Sequence, residues 1–221
     1  MKMQREEIII TPASSLSPYL RELAAMPPPK VLLYGRDALH ATATRFVARA
    51  ALHNTPVLVV DGANAFDPYE VAQTAQRRQR DPERLLKSIR LARAFTCYQL
   101  RELIFRLPEH LEAPGTLVTI IGLCTTFFDD DVMLREAAAL FYQTWWKLAE
   151  LNHQGVPILI AQSVSPVNLR RKYFLEDLYR LSDWVLRVEP AARPHQREFQ
   201  PMALIADARH WNTRALMERE G

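Results

Sequence analysis

The residue types that build a phosphate-binding loop are glycine and a lysine that directly follows a glycine. This chain is poor in glycine, and no lysine follows one. The chain has only six glycines among 221 residues, and no two of them are close neighbours. Loops that cradle phosphate with backbone N–H groups follow the patterns G-x-G-x-x-G or G-x-x-x-x-G-K-[ST]. Neither pattern is intact here, and no Gly-Lys dipeptide exists anywhere. The sequence therefore excludes an intact phosphate-binding loop of either type.

Metal and thiol chemistry also lack a recognisable pattern. Cys97 and Cys124 are too few and too far apart for a disulfide framework or a C-x-x-C metal site. The histidines show no H-x-H or H-E-x-x-H spacing, so no metal site is assigned. Asp129–Asp131 could bind a divalent ion, but we interpret them as a solvated N-cap cluster of the helix that follows. Asp61 is interpreted as a strand cap that bonds a backbone N–H rather than a metal.

Two basic clusters are candidates for contact with nucleic acid. Arg170, Arg171 and Lys172 precede Tyr173, and a basic run beside an aromatic ring is the combination that single strands favour. The same three cations would also suit a solvated helix face. A second cluster, with the same two interpretations, consists of Arg77, Arg78, Arg80 and Arg84.

Short apolar runs alternate with amphipathic segments, which predicts βαβ units and a parallel sheet covered by helices on both faces. The predicted strands are Val31–Tyr34, Val57–Val60, Ser88–Phe95, Leu117–Ile121, Val156–Ala161, Trp184–Val188 and Met202–Ala206. The predicted helices are Ser17–Ala25, Ala38–Leu52, Pro68–Arg80, a short one opened by Asp81, Tyr98–Leu111 and Val132–Asn152. We expect residues 1–29 to form an N-terminal extension with a short helix, capped by Ser17, and a proline-rich spacer. Residues 30–221 are expected to form one α/β domain.

Composition places the chain among ordinary globular proteins. Hydrophobic residues make up 48% and charged residues 24%, which excludes disorder, collagen and coiled coil. The net charge is +3 and the pI is about 9.0, which is mildly basic. No apolar stretch approaches the ~18 residues that a membrane span needs. The start, with its acidic residues, does not resemble a signal peptide, so we expect a soluble protein in the reducing cytoplasm, without membrane association.

Several segments in order resemble the core ATPase domain of the RecA/RadA recombinase superfamily, above all the archaeal and eukaryotic recombinases and their paralogues. In that family a phosphate-binding loop follows the first core strand, as Gly35–Thr42 does here. Asp61, Phe66 and Pro68 match the family's D-T-E-G-T-F-x-P-E-R stretch, and Ala92–Phe95 match its A-R-A-F stretch. The resemblance covers roughly residues 30–209. It implies a three-layer RecA-like P-loop NTPase fold with a mainly parallel, twisted sheet.

The departures from the family pattern fall on the residues that phosphoryl transfer needs. The degenerate nucleotide-binding loop comprises Gly35, Arg36, Asp37, Ala38, Leu39, His40, Ala41 and Thr42. His40 replaces the second glycine and Ala41 replaces the lysine, whereas Thr42 retains a magnesium-contacting residue type. Ala63 stands at the position of the general-base glutamate and Gly122 at that of the Walker B aspartate. We therefore expect a pseudo-ATPase with no catalytic residues and no cofactor, unless the degenerate site still binds ATP and magnesium.

The resemblance implies a non-hydrolysing accessory of DNA repair or recombination. Such a protein would bind a partner recombinase, single-stranded DNA through Arg170–Tyr173, or both, as a homo- or hetero-oligomer. One alternative is a RecA-fold scaffold or regulatory module that binds protein but not DNA. Another is a divergent ATPase that is completed in trans by a partner, with Arg36 or a partner's lysine replacing the missing cation.

Overall fold

Seven parallel strands form a single sheet in a computed structural model that describes residues 7–111, 113–164 and 169–190. The strands are β1 (Glu7–Ile10), β2 (Lys30–Gly35), β3 (Val57–Asp61), β4 (Ile89–Arg93), β5 (Leu117–Ile121), β6 (Ile158–Ser163) and β7 (Trp184–Val188). Their order across the sheet is β1-β7-β2-β6-β5-β3-β4, and every adjacent pair is parallel.

The connections between strands carry seven α-helices within the described residues. They are α1 (Ser17–Leu23), α2 (Leu39–Leu52), α3 (Pro68–Gln76), α4 (Pro82–Lys87), α5 (Cys97–Arg106), α6 (Leu134–His153) and α7 (Tyr173–Leu181). Short 3-10 turns follow or precede three of them, at Leu107–His110, Thr125–Phe128 and Leu169–Arg171. None of the helices in this part of the chain has both the length and the apolar character needed to cross a bilayer.

Both faces of the sheet are covered, because the central strands β2, β3, β5 and β6 are buried at nearly every position. Successive side chains of a strand point to opposite faces. Val31 and Leu33 of β2 belong to the core beneath α2, whereas the intervening Leu32 is buried outside that cluster. A second cluster is aromatic: the Phe141 ring lies 5.5 Å from Phe127 and 4.8 Å from Phe174, between centroids. These layers confirm the predicted three-layer α/β fold with a parallel sheet.

The N-terminal segment is part of the sheet rather than an appendage. Strand β1 pairs in parallel with β7, with Ile10 opposite Val188, and it forms one edge of the sheet. Ile10, Leu16 and Leu23 are buried in the same core as α2. The described residues before and after Pro29 lie in one compact unit. This differs from the predicted division at residue 29. The strand partner of Ile8–Ile10 is β7, almost 180 residues later, and a local apolar run does not reveal so distant a partner.

Aspartate side chains cap the short helices α3 and α4, whereas the caps predicted for α1 and α6 are not formed. Asp67 and Asp81 each precede a proline and accept a hydrogen bond, from the N–H groups of Tyr69 and Glu83 respectively, which confirms the separate helices α3 and α4. The predicted N-cap at Ser17 is wrong, because Leu16 occupies the cap and no side chain bonds the helix start.

Three other expectations need correction or lie outside the description. Helix α3 ends at Gln76 rather than at Arg80. The N-cap of α6 is Met133, so the carboxylates of Asp129–Asp131 do not cap that helix. The Asp129 carboxylate instead accepts a hydrogen bond from the N–H of Asp131. The predicted strand Met202–Ala206 lies outside the described residues.

Candidate functional site

The carboxyl ends of β2, β6, β5 and β3 lie side by side, and this edge is where ligands bind in parallel α/β sheets. Backbone hydrogen bonds extend the pairing beyond the strands. The N–H of Gly62 donates to the Ile121 carbonyl at 2.7 Å, and that of Gly122 donates to Ala161 at 2.7 Å. These bonds hold the segments after β3 and β5 against each other.

The segment that corresponds to the phosphate loop is a tight turn into α2. Only three residues, Arg36–Ala38, separate the end of β2 from the start of the helix. The N–H of Leu39 donates to the Arg36 carbonyl at 3.1 Å, so this donor is used within the turn. A Cβ atom at Gly35 would lie 2.5 Å from the carbonyl oxygen of Val188. Glycine at this position therefore permits the close approach of β7.

His40, which the predicted alignment places at the second loop glycine, brings an imidazole to the turn after β2. The ring is half-buried, and its Nε2 atom is buried without a hydrogen-bond partner among the described residues. Burial lowers the pKa of His40, and the nearby Asp61 carboxylate opposes that shift. Ala41, at the lysine position, is exposed and offers no charge. A neutral ring and a methyl group thus replace a backbone cradle and a cation.

Thr42 retains the residue type of a magnesium ligand but not its availability. Its side chain is fully buried, and its hydroxyl accepts a hydrogen bond from the Arg45 guanidinium at 2.9 Å. The same guanidinium donates to the carbonyls of Ala41 and Pro12 and lies 3.6 Å from a Glu70 carboxylate oxygen. A hydroxyl that faces a fixed cation is a poor ligand for a second cation. These partners hold the Arg45 guanidinium within the fold, so Arg45 is not free to replace a loop lysine.

Asp61 organises the loop after β3, as the sequence predicted. The carboxylate is fully buried and accepts hydrogen bonds from the N–H groups of Ala63, Ala65 and Phe66 at 3.0–3.2 Å. The Nε atom of Arg93 lies 3.6 Å away. Three backbone donors and one guanidinium satisfy the charge, so this carboxylate serves the loop. The described residues contain no cluster of three or more metal-ligating side chains.

Ala63 and Gly122, which the predicted alignment places at the general-base and Walker B positions, pack directly against each other. A Cβ atom at Gly122 would lie 2.5 Å from the Ala63 Cβ, 2.9 Å from the Ala63 nitrogen and 2.7 Å from the Thr125 hydroxyl oxygen. Gly122 also has a φ of +73°, a conformation that side chains disfavour. The fold thus leaves no room for an aspartate at this position in its present backbone arrangement.

Gln162 is a buried polar residue of this edge that sequence analysis did not single out. It stands near the end of β6, where its Oε1 accepts a hydrogen bond from the Cys124 N–H at 2.7 Å and its Nε2 donates to the Ser163 carbonyl. The Cys124 thiol is buried, and burial raises its pKa. A polar residue at the end of an otherwise apolar strand was the available signal. Gln162 fixes the loop after β5 and leaves few polar groups at the edge for a ligand.

The predicted DNA-binding residues have very different environments. The Arg171 side chain is only 4% exposed, and its guanidinium donates to the carbonyls of Phe127 and Val132. Lys172 forms an ion pair with Glu176 at 3.0 Å. Tyr173 is half-buried, and its ring centroid lies 4.3 Å from that of Phe174, with the two ring planes tilted by 44°. Arg170 is exposed. Arg171 therefore stabilises the fold, and the DNA-binding prediction depends on Arg170 and Lys172.

No family model matches this chain, and no curated protein sequence is significantly similar to it. The arrangement at the carboxyl edge must therefore be interpreted from its own geometry. The described residues there supply a neutral imidazole, two alanines and a close glycine contact, with every carboxylate oxygen of Asp61 bound to backbone. Among the described residues of this edge, no carboxylate stands at Ala63 or Gly122 and no lysine at Ala41, whereas phosphoryl transfer in P-loop proteins uses carboxylates and a loop lysine.

Proposed function

We propose that this chain is a non-hydrolysing RecA/RadA-like paralogue that binds a partner recombinase as an accessory of DNA repair or recombination. The observation that carries the proposal is the direct packing of Ala63 against Gly122. It occupies the space that an aspartate at position 122 would need, and residue 63 is an alanine, so neither carboxylate of the hydrolytic pair is present while the sheet is retained. ATP hydrolysis completed in trans is disfavoured by the same packing, because a partner's cation would not replace either carboxylate.

Strand β4 supports protein binding as the mode of action. It is the last strand of the sheet, and its outer edge has no strand partner within the described part of the chain. Its Leu91 side chain is exposed, and Phe95 and Tyr98 follow it as exposed aromatic residues. Unpaired strand edges accept an additional strand from a partner, and exposed aromatic rings are frequent anchors of interfaces. We infer that a strand of the recombinase pairs with the edge of β4 and that a surface of the recombinase packs against the Phe95 ring.

A titration of the recombinase from the same organism against this protein and two alanine variants tests the interface. Phe95→Ala removes a ring that is 69% exposed, and Trp146→Ala removes an equally exposed ring from α6 as the matched control. An aromatic anchor is worth about 2 kcal/mol, so Phe95→Ala should weaken binding about 30-fold. Trp146→Ala should change the affinity less than threefold. Absence of binding, or equal losses in both variants, would refute the proposed interface.

The second candidate is a scaffold or regulatory module that binds protein but not DNA, and the burial of Arg171 favours it. Oligothymidylate binding, measured by fluorescence anisotropy across a salt series, separates the two. If DNA binds, the double variant Arg170→Ala/Lys172→Ala should reduce the slope of log K against log salt by about 1.4, or 0.7 per lost cation. The control Lys87→Ala/Arg106→Ala removes two exposed cations elsewhere. Absence of salt-dependent binding by the wild type would leave the protein-only function.

The reducing cytoplasm is part of the same proposal. Cys97 and Cys124 are both free and buried, and they are not paired with each other. Free buried thiols are typical of proteins from reducing compartments. ATP and magnesium are not proposed as cofactors of the carboxyl edge.

A further inference from the structure

A cleft lined by four arginines lies between the segment after β1, helix α2 and the end of helix α3. Its volume is about 310 Å³, within the usual range for small-ligand pockets. The guanidinium groups belong to Arg45, Arg49, Arg77 and Arg78, and the opposite wall is formed by residues 12–16. None of the lining residues belongs to the degenerate loop Gly35–Thr42.

Positive charge in this cleft exceeds the negative charge that faces it. Glu70 is the carboxylate that approaches, at 3.6 Å from Arg45 and 4.0 Å from Arg77. The guanidinium groups of Arg49 and Arg78 form no hydrogen bond or ion pair with any residue that the structure describes. Burial and the neighbouring guanidiniums of Arg77 and Arg49 lower the pKa of Arg45, which Glu70 partly opposes. Guanidinium groups that line one cleft repel each other, and an anion bound between them would relieve that repulsion.

Arg45 fixes the cleft in place. Its guanidinium bonds the Pro12 carbonyl, the Thr42 hydroxyl and the Ala41 carbonyl, so it connects the segment after β1 to the first turns of α2. Arg45 and Arg49 are four residues apart and therefore lie on the same face of the helix. This arrangement leaves Arg49 beside a rigid wall, with its donors available for a ligand.

An unsatisfied hydroxyl also points to a ligand. Thr74 of α3 lines the cleft and is 7% exposed, and its Oγ1 atom has no hydrogen-bond partner within the described residues. A buried hydroxyl without a partner costs about 1–3 kcal/mol, so such atoms commonly mark a water, ion or ligand position. Thr74 of α3 and the four arginines line the same cleft, and the Thr74 hydroxyl oxygen is itself buried.

We propose that this cleft binds a di- or triphosphate group, free or as part of a nucleotide, through Arg49, Arg77 and Arg78. The planar guanidinium fork matches phosphate oxygens and binds them in pairs. A bounded cleft of this volume suits a compact polyanion, whereas a nucleic-acid strand requires an extended groove. The site goes beyond the proposed recombinase interface, and neither depends on the other.

Calorimetric titration of the full chain with sodium tripolyphosphate at low salt tests the site, with ATP as a second arm. The double variant Arg49→Gln/Arg78→Gln should lower the affinity at least tenfold. The control Arg80→Gln/Arg84→Gln removes the same charge from exposed positions outside the cleft and should stay within twofold. Equal affinity for both ligands indicates recognition of the phosphates alone, and tighter ATP binding indicates added contacts to the nucleoside; both support the site.

Three results would overturn the proposal. The first is the absence of saturable 1:1 binding to the wild type. The second is an equal loss in the control variant, which would indicate non-specific attraction to a basic surface. The third is displacement of tripolyphosphate by oligothymidylate of equal charge with higher affinity, which would make the cleft a nucleic-acid site. Thr74→Val keeps the side-chain volume and should weaken binding several-fold, and an unchanged affinity would remove the hydroxyl from the site.

Discussion

Replacing Gly122 with alanine tests directly whether the carboxyl edge is closed by the contact with Ala63. Two costs combine at this position. A non-glycine residue in the left-handed region, near the observed φ of +73°, costs about 1–2 kcal/mol. The new Cβ would lie 2.5 Å from the Ala63 Cβ, and overpacking of this kind costs about 1–3 kcal/mol more. Gly122→Ala should therefore lower the free energy of unfolding by about 2–5 kcal/mol.

Gly115 provides the matched control for this experiment. Its φ is +76°, but a Cβ there would meet nothing within 4 Å. Gly115→Ala should thus show the conformational cost alone, about 1–2 kcal/mol. Urea unfolding followed by circular dichroism measures both variants, provided that their m-values agree. If the two variants differed by less than about 0.5 kcal/mol, the close packing would be wrong.

A double variant localises the steric cost to Ala63. Ala63→Gly removes the Cβ that the new methyl group would meet, although the Ala63 nitrogen and the Thr125 hydroxyl oxygen would remain close. Adding Ala63→Gly to Gly122→Ala should therefore recover about 1 kcal/mol relative to the sum of the two single changes. Additive effects would show that the alanine methyl does not contact Gly122. Gly122→Asp should fail to produce ATP hydrolysis, both in the otherwise wild-type chain and together with Ala63→Gly.

Two further predictions concern side chains with specific partners. Arg171→Ala should lower the free energy of unfolding by about 3 kcal/mol, because two carbonyl oxygens lose a charged donor. The control Arg170→Ala, at an exposed position, should change it by no more than about 0.5 kcal/mol in the same urea assay. Equal effects of the two variants would contradict the burial of Arg171. Burial and hydrogen bonds to acidic residues raise the pKa values of Tyr34 and Tyr142. The unfolded chain loses these protons near pH 10 while the folded chain keeps them, so stability should be fully present below pH 10 and fall above it. Tyr34→Phe and Tyr142→Phe should each reduce the slope of unfolding free energy against pH above pH 10 by an amount that corresponds to at most one proton. An unchanged slope would exclude that tyrosine as a cause of the decline.

The absence of an intact phosphate-loop motif was readable from the sequence because it concerns residue identity. No tertiary arrangement can make a carboxylate of Ala63 or a cation of Ala41. The parallel sheet was also predictable, since apolar strands and amphipathic helices alternate at their own periods. The cap at Asp81 was predicted for a similar reason: the aspartate and the N–H that it accepts from are two residues apart.

Tertiary structure alone decided which of the candidate residues remain available. Arg171 looks like its neighbour Arg170 in the sequence, yet it is buried because the carbonyls of residues 127 and 132, about 40 positions earlier, approach it. The pairing of β1 with β7 joins residues that are almost 180 positions apart. The arginine cleft likewise requires the segment after β1 to pass over α2. Such contacts depend on the order of strands in the sheet, and local patterns of residue type carry no information about that order.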